Sequence, residues 1–301
     1  MQEIEKIKQG VIENMKIVKD YRDNDQLRAS FNELAGKTFC LDFEDWYQNG
    51  YWTEKYNPYS MVEDGKVVAN VSVNKCDYFW KGKRWKFLQL GTVMTDEAYR
   101  NKGLIRQLME EIDKDYENEI DGVFLFANDE AVDFYPKFGF QKLGEYEYVK
   151  NVKIEQEMNI EQVSMDKKEQ WDNLETYIND CVSYSSFEPV GNSELFMFYV
   201  TKFMQDAVYY CKEQDAYVIA EVEDSQLILH GVFAKEEYEL DEIIAAFGKE
   251  IKKVRLTFAH EKEESYEVLP YRAEDCTLFI KGKGFEQFET DKVRFPELAH
   301  A

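Results

Sequence analysis

The stretch Leu88 to Ile112, LQLGTVMTDEAYRNKGLIRQLMEEI, constrains this chain most. Leu88–Thr95 is an apolar run with β-branched residues, and it predicts a strand. The polar residues Asp96–Lys102 predict a turn. Leu104, Ile105, Leu108, Met109 and Ile112 then recur at helical spacing, so a helix with one apolar face begins near Gly103. A strand, a basic Gly-containing turn and a helix together suit phosphate. The first amides of a helix lack internal partners and carry the positive end of its dipole. Gly103 lets backbone approach a ligand closely, and Arg100, Lys102 and Arg106 add charge.

At 301 residues the chain has room for about two domains. Hydrophobic residues make up 44% and charged residues 32%, as in a globular chain. The 37 Lys and Arg are outnumbered by 60 Asp and Glu, for a net charge of −23. That balance argues against nucleic acid as a partner, which needs a basic face. It suits a cationic small molecule, and it serves solubility equally well. No apolar run is long enough for a membrane span. The start, MQEIEKIKQG, has no apolar signal core, so a cytoplasmic protein is expected. The five cysteines are scattered and form no C-x-x-C pair, which reads as reduced packing thiols. His230, His260 and His300 have no ligand-like spacing, so neither a metal nor a catalytic triad is expected.

Ile4, Ile7, Val11, Ile12 and Met15 repeat at helical spacing, as do Leu27, Phe31 and Leu34. Met15–Tyr21 reads alternatively as a first strand. In TFCLDFEDWYQNGYWTEKYNPYS (38–60), Asp42, Glu44 and Asp45 interleave with aromatics that include Trp46 and Trp52. One reading is an acceptor site, with aromatic walls and carboxylates around an ammonium. The other is an aromatic segment packed on the sheet. Asp64-Gly65 predicts a hairpin. Lys81-Gly82-Lys83-Arg84 forms a second tip, which meets either a nucleotide phosphate or only solvent. Gly122–Asn128 predicts a buried strand. DEAVDFYPKFGF predicts a short helix, with Pro136 awkward inside it and Gly139 stopping it. Gln141–Val149 predicts a closing strand or hairpin.

Arg100-Asn101-Lys102-Gly103-Leu104-Ile105 resembles the R/Q-x-x-G-x-G/A signature of the GNAT superfamily of acetyl-CoA-dependent N-acetyltransferases. Ile105 departs from the usual Gly or Ala. Asn128 followed by Phe134-Tyr135-Pro136-Lys137-Phe138-Gly139-Phe140 resembles the second GNAT signature, in the right order and separation. The resemblance covers about Met15 to Val152. It implies an α/β (α+β) GNAT fold, with a mixed central sheet flanked by helices.

The domains expected are 1–152, an acetyl-CoA-binding catalytic domain, and 153–301. The second half predicts helices at 167–181 and 194–205, then a hairpin (216–222, 226–233). A helix (240–247) and strands (254–258, 276–280) complete it. This order echoes the first half without the phosphate turn, so it resembles a degenerate GNAT-like domain in the Eis-like tandem branch of the superfamily. That branch acetylates amines. The resemblance implies an amine N-acetyltransferase acting on a small cationic acceptor.

For the site, the resemblance implies that the backbone of Val93, Met94 and Thr95 pairs with the cofactor. Residues 100–106 hold the pyrophosphate, and Asn128 and Phe134 lie beside the cofactor. Tyr135 matches the tyrosine that protonates the leaving thiolate, although a packing aromatic accounts for the same position. The base is open among Glu44, Asp45 and the carboxylate of Ala301. Phe295-Pro296-Glu297-Leu298 gives the tail apolar anchors. Two other readings stay open: an acyl-CoA-binding sensor without turnover, and a transferase using another activated acyl donor. The oligomeric state, a homo-oligomer included, is also open.

Overall fold

The computed structural model describes residues 15–260 and 262–300. The helix expected from Ile4 onward therefore lies outside the described residues, apart from Met15. The chain divides into two compact units. The first holds residues up to Lys75 and Lys86–Leu125, and the second holds Cys76–Trp85 and Phe126–His300.

In the first unit, Met15–Val18 is a strand (β1), which settles the alternative left open for Met15–Tyr21. Helix α1 (Asp25–Phe39) starts at Asn24, whose side chain accepts from the Leu27 amide. It buries Phe31 and Leu34 of the expected stripe together with Ala35, and leaves Leu27 half-buried. A short helix, α2 (Glu44–Gln48), precedes β2 (Tyr56–Glu63), β3 (Lys66–Trp80) and β4 (Lys83–Thr95). Helix α3 (Leu104–Tyr116) buries Leu104, Leu108, Met109 and Ile112, and β5 (Gly122–Ala127) follows. The strand order is β1-β2-β3-β4-β5. The β1–β2 and β2–β3 pairs are antiparallel and β4–β5 is parallel, so the sheet is mixed. Helix α3 packs on β2, where Tyr59 donates to Asp115 (2.8 Å).

The second unit contains β6 (Gln141–Lys142), β7 (Glu145–Asn151), β8 (Glu161–Gln162) and helix α4 (Lys168–Asp180). β9 (Glu188–Val190) and α5 (Ser193–Lys202) come next, then β10 (Val208–Cys211), β11 (Ala216–Glu223) and β12 (Gln226–Ala234). After α6 (Leu240–Ala245) come β13 (Lys253–Leu256), β14 (Glu267–Tyr271) and β15 (Thr277–Lys281). Its seven-stranded sheet runs β14-β7-β13-β12-β11-β10-β8. Among the described residues, β12–β13 is the parallel pair of this sheet and the other pairs are antiparallel. The tip of β3 pairs with β9, and Tyr78 and Trp80 pack there with Phe187. The basic tip is tied to carboxylates of its own unit, Arg84 to Asp77 and Lys81 to Asp291.

Some local expectations change. Asp129–Phe140 forms two 3-10 turns, Asp129–Ala131 and Tyr135–Phe138, in place of a short α-helix. Pro136 supplies no amide there, and Gly139 takes a left-handed conformation at φ 86°. Gln141–Val149 is neither one strand nor a hairpin: β6 pairs with β15, and β7 with β13 and β14. β8, β9, β10 and β14 were not expected. They are short, and β14 carries Pro270, which an edge strand tolerates. β7, which precedes the expected sequence boundary at 152/153, lies in the second unit's sheet.

Candidate functional site

The first unit contains a kinked strand. β4 pairs with β5 in parallel register from Phe87↔Gly122 to Leu90↔Leu125, and there the ladder ends. β4 itself runs on to Thr95. Within this extension Thr92 adopts φ 48°, a left-handed conformation that a β-branched residue resists. A buried polar network holds it. Asn70 Nδ2 donates to the Thr92 carbonyl (2.9 Å), and Tyr56 Oη shares a hydrogen bond with Thr92 Oγ1 (2.8 Å). Asn70 is fixed in turn by Ser60 Oγ (2.8 Å) and Ser72 Oγ (2.9 Å). Tyr21 bonds Ser60 (2.7 Å) and closes the chain of contacts. Strain of this kind persists only where neighbours over-determine it. The sequence reading missed these residues. The available signal was polar side chains at strand positions whose neighbours are apolar.

Past the kink, Val93 and Thr95 are partly exposed and Met94 is buried. The Asp96 amide donates to the Val68 carbonyl (2.9 Å), and its side chain caps a 3-10 turn at Glu97–Tyr99. Asn101 and Gly103 are both left-handed, at φ 63° and 75°. This lifts the chain over the start of α3, whose N-cap is Gly103. A Cβ at Gly103 would meet nothing within 4 Å, so the site needs glycine for its backbone angle and leaves open space above the helix end. Arg100, Asn101, Lys102 and Arg106 are exposed, and Ile105 is half-buried. Lys102 lies 4.3 Å from the Tyr99 ring, and Arg100 is near Glu97 (3.9 Å). Leu104 faces the core. The residues expected to bind cofactor at 93–95 and 100–106 therefore form one continuous strand end, turn and helix start.

The aromatic segment is a packed core in this unit. Trp46 and Trp52 are buried, and they cluster with Phe43 and Tyr56. Trp52 Nε1 donates to the Tyr56 carbonyl (3.0 Å), so the cluster braces the residue that holds Thr92. Glu44 takes Arg28 Nε (2.8 Å) and Nη2 (3.2 Å), and this pairing holds its carboxyl below the usual range. Asp42 accepts from the Glu44 amide (2.8 Å). Asp45 is exposed.

The second unit holds Asn128, Phe134 and Tyr135. Asn128 is exposed and caps its 3-10 turn through the Ala131 amide (3.1 Å). Phe134 packs on Phe138, with ring centres 4.9 Å apart. Tyr135 is buried among Phe140 and Phe279, and burial pushes its phenol up to about 12. It stays protonated at neutral pH.

The same unit gathers charged groups that the sequence reading did not connect. Burial raises Glu145 to about 7; Arg294 opposes this and Glu297 adds to it. Arg294 is 1% exposed, donates to the Tyr146 carbonyl (3.0 Å) and lies 4.3 Å from the Tyr271 ring. His230 sits between Glu221 (3.1 Å) and Glu297 (3.5 Å), which raise it against the effect of burial. Burial also opposes the charge of Glu297, but His230 and its other cationic neighbours hold that carboxyl near 2. His300 stacks on Phe126 at 3.7 Å, and burial lowers it to about 4. These residues span 145–300, so no local motif links them. Ala301, the candidate terminal carboxylate, lies outside the described residues.

None of the five cysteines is in a disulfide. Among the described residues no group of three or more His, Cys, Asp or Glu could hold a metal ion. No helix among them is long and apolar enough to cross a membrane.

Comparison with known proteins bears on this arrangement. No curated protein matches the sequence. Several solved structures share the fold. One is a conserved protein of unknown function from Enterococcus faecalis V583, described as a probable N-acyltransferase. It is 13% identical, with 91% of this chain and 74% of that chain covered and a TM-score of 0.58. Eis1 from Mycobacterium abscessus is 9% identical, with 88% and 72% covered and a TM-score of 0.52. A putative acetyltransferase from Pyrococcus horikoshii is 12% identical, with 96% of both chains covered and a TM-score of 0.50. At such identities the likeness is one of fold. The family model described as an acetyltransferase (GNAT) domain matches residues 21–143, which include the kinked strand, the basic turn and Phe134–Phe140. Residues 21–143 are thus similar to an acetyltransferase (GNAT) domain.

Proposed function

We propose that this protein is a cytoplasmic N-acetyltransferase that moves an acetyl group from acetyl-CoA to a primary amine of a small cationic acceptor. One observation carries the reading. β4 leaves its parallel partner at Leu90, kinks at Thr92, and leads through a basic left-handed turn into the N-terminus of α3. Backbone beyond a ladder is available to an extended amide-bearing ligand, and the turn suits a pyrophosphate. Val93, Met94 and Thr95 would pair with the pantetheine arm, and residues 100–106 would take the phosphates.

Acyl transfer to an amine requires a proton to leave the ammonium, a donor for the oxyanion and an acid for the thiolate. A backbone amide within 93–95 is our candidate donor, and Tyr135 our candidate acid. Glu44 is paired to Arg28, and the base stays open among Glu44, Asp45 and Ala301. Asp42, Trp46 and Trp52 shape the acceptor side from behind, by bracing α2 and Tyr56. We also read residues 153–301 as a degenerate GNAT-like half. What supports this is the β12–α6–β13 crossover, whose parallel pairing repeats that of β4–α3–β5.

The test is release of CoA thiol from acetyl-CoA with a panel of polyamines and other primary amines. Acceptor-dependent release is expected. Tight acetyl-CoA binding without release across the panel would favour a sensor.

A further inference from the structure

β12 and β13 pair in parallel from Gln226↔Lys253 to Leu229↔Leu256. The Thr257 amide donates to the Leu229 carbonyl (3.0 Å), and the two strands then part. β12 continues against β11 to Ala234. The C-terminal turn Glu297–Ala299 enters the fork: the Glu297 amide donates to the Thr257 carbonyl (3.2 Å), and its carboxylate meets His230. What remains of the fork is a pocket of about 230 Å³. Its walls come from one unit alone, and they include Val190, Phe196, Val232, Phe233, Phe258 and Leu298.

The polar content of this pocket is specific. Asn192 lines it at the N-cap of α5, yet its side chain makes no capping bond. The residue is 7% exposed, and its Nδ2 is buried without a partner. A buried donor left unmade is costly, so an incoming acceptor is favoured there. His230 also lines the pocket, but Glu221, Glu297 and Thr257 already occupy its ring nitrogens. An anion would meet the carboxylate of Glu188, and a cation would meet His230, whose protonated form Glu221 and Glu297 favour. Gly231 keeps the wall thin: a Cβ there would come within 2.9 Å of the Phe233 ring and 3.2 Å of Leu298. An apolar cavity of about 150 Å³ already holds benzene, so a substituted ring fits here.

We propose that this fork pocket binds a small uncharged molecule, one ring in size, whose carbonyl-type acceptor is received by Asn192. The site is separate from the proposed transfer reaction and does not depend on it.

The experiment uses the full chain with labelled methyl groups and four probes: acetophenone, ethylbenzene, benzoate and benzylammonium. Acetophenone should shift the methyls of Val190, Val232 and Leu298 saturably, at one site per chain. Ethylbenzene, which lacks the acceptor, should bind about tenfold more weakly, the worth of one hydrogen bond. In Asn192→Ala the two should bind alike, and Gly231→Ala should weaken both. Saturating acetyl-CoA should leave the acetophenone shifts in place. The proposal is overturned if wild-type methyls do not respond, if either charged probe binds as tightly as acetophenone, or if acetyl-CoA displaces acetophenone. Retention of the acetophenone preference in a folded Asn192→Ala variant also overturns it.

Discussion

The two parallel crossovers, β4–α3–β5 and β12–α6–β13, begin alike and end differently. Each ladder holds four residue pairs, and in each the first strand continues for five residues beyond them. In the first, the continuation kinks at Thr92 and enters Arg100-Asn101-Lys102-Gly103 ahead of a 13-residue helix. In the second it enters Lys235-Glu236-Glu237-Tyr238-Glu239 ahead of a 6-residue helix whose first turn carries Asp241 and Glu242. A positive helix end with cations above it attracts phosphate; one ringed by carboxylates repels it. The same topology therefore gives one helix start that suits phosphate and another that repels it. The difference lies in the residues between strand and helix, 96–103 in one and 235–239 in the other.

The sharpest way to break this comparison is at Gly103. Gly103→Pro should weaken acetyl-CoA at least about a hundredfold, because proline cannot adopt φ 75°. Calorimetry on the folded variant checks it, and retained affinity would remove the turn from the cofactor site. Wild-type protein should bind one acetyl-CoA per chain; two in a saturation titration would erase the distinction between the crossovers. Tyr135→Phe should leave acetyl-CoA affinity nearly unchanged and lower turnover about tenfold or more. A thiolate leaves partly unaided, so the loss falls toward the low end of what general acids supply. An unaltered rate would make Tyr135 a packing residue.

Asn70→Ala should loosen the Thr92 kink and weaken acetyl-CoA by roughly three- to tenfold. No change in affinity, with the fold intact, would separate the kink from binding. The smallest effect concerns the second unit. Glu145 has its pKa raised from 4.5 to about 7. Between those values the folded chain holds a proton that the unfolded chain has lost, so this group destabilises the protein as pH rises. Glu145→Gln should then raise Tm by roughly a few degrees at pH 8 and by less at pH 5. An equal change at both pH values would refute the assignment.

Much of the first unit was legible because its signals are local. The spacing of Leu104, Leu108, Met109 and Ile112 specifies a helix face, and Gly103 specifies where the chain must turn left-handed. Trp46 and Trp52 carry no such local signal: aromatic residues near carboxylates look the same in sequence whether they line a site or fill a core. Here they are buried, and Glu44 is committed to Arg28, sixteen residues away.

By itself the sequence determined the main elements of the first unit, among them the strand–turn–helix, and the acidic balance of the chain. Periodicity and turn chemistry act over a few residues, so one chain suffices to read them. Only tertiary structure decided that Ser60, Asn70, Ser72 and Tyr56 converge on Thr92. Only it brought Glu145, His230, Arg294 and Glu297 into one electrostatic group, and it alone left Asn192 unpartnered beside the fork of β12 and β13. Burial and hydrogen bonding between distant residues set these features, and the pairing register that creates them is a property of the folded sheet.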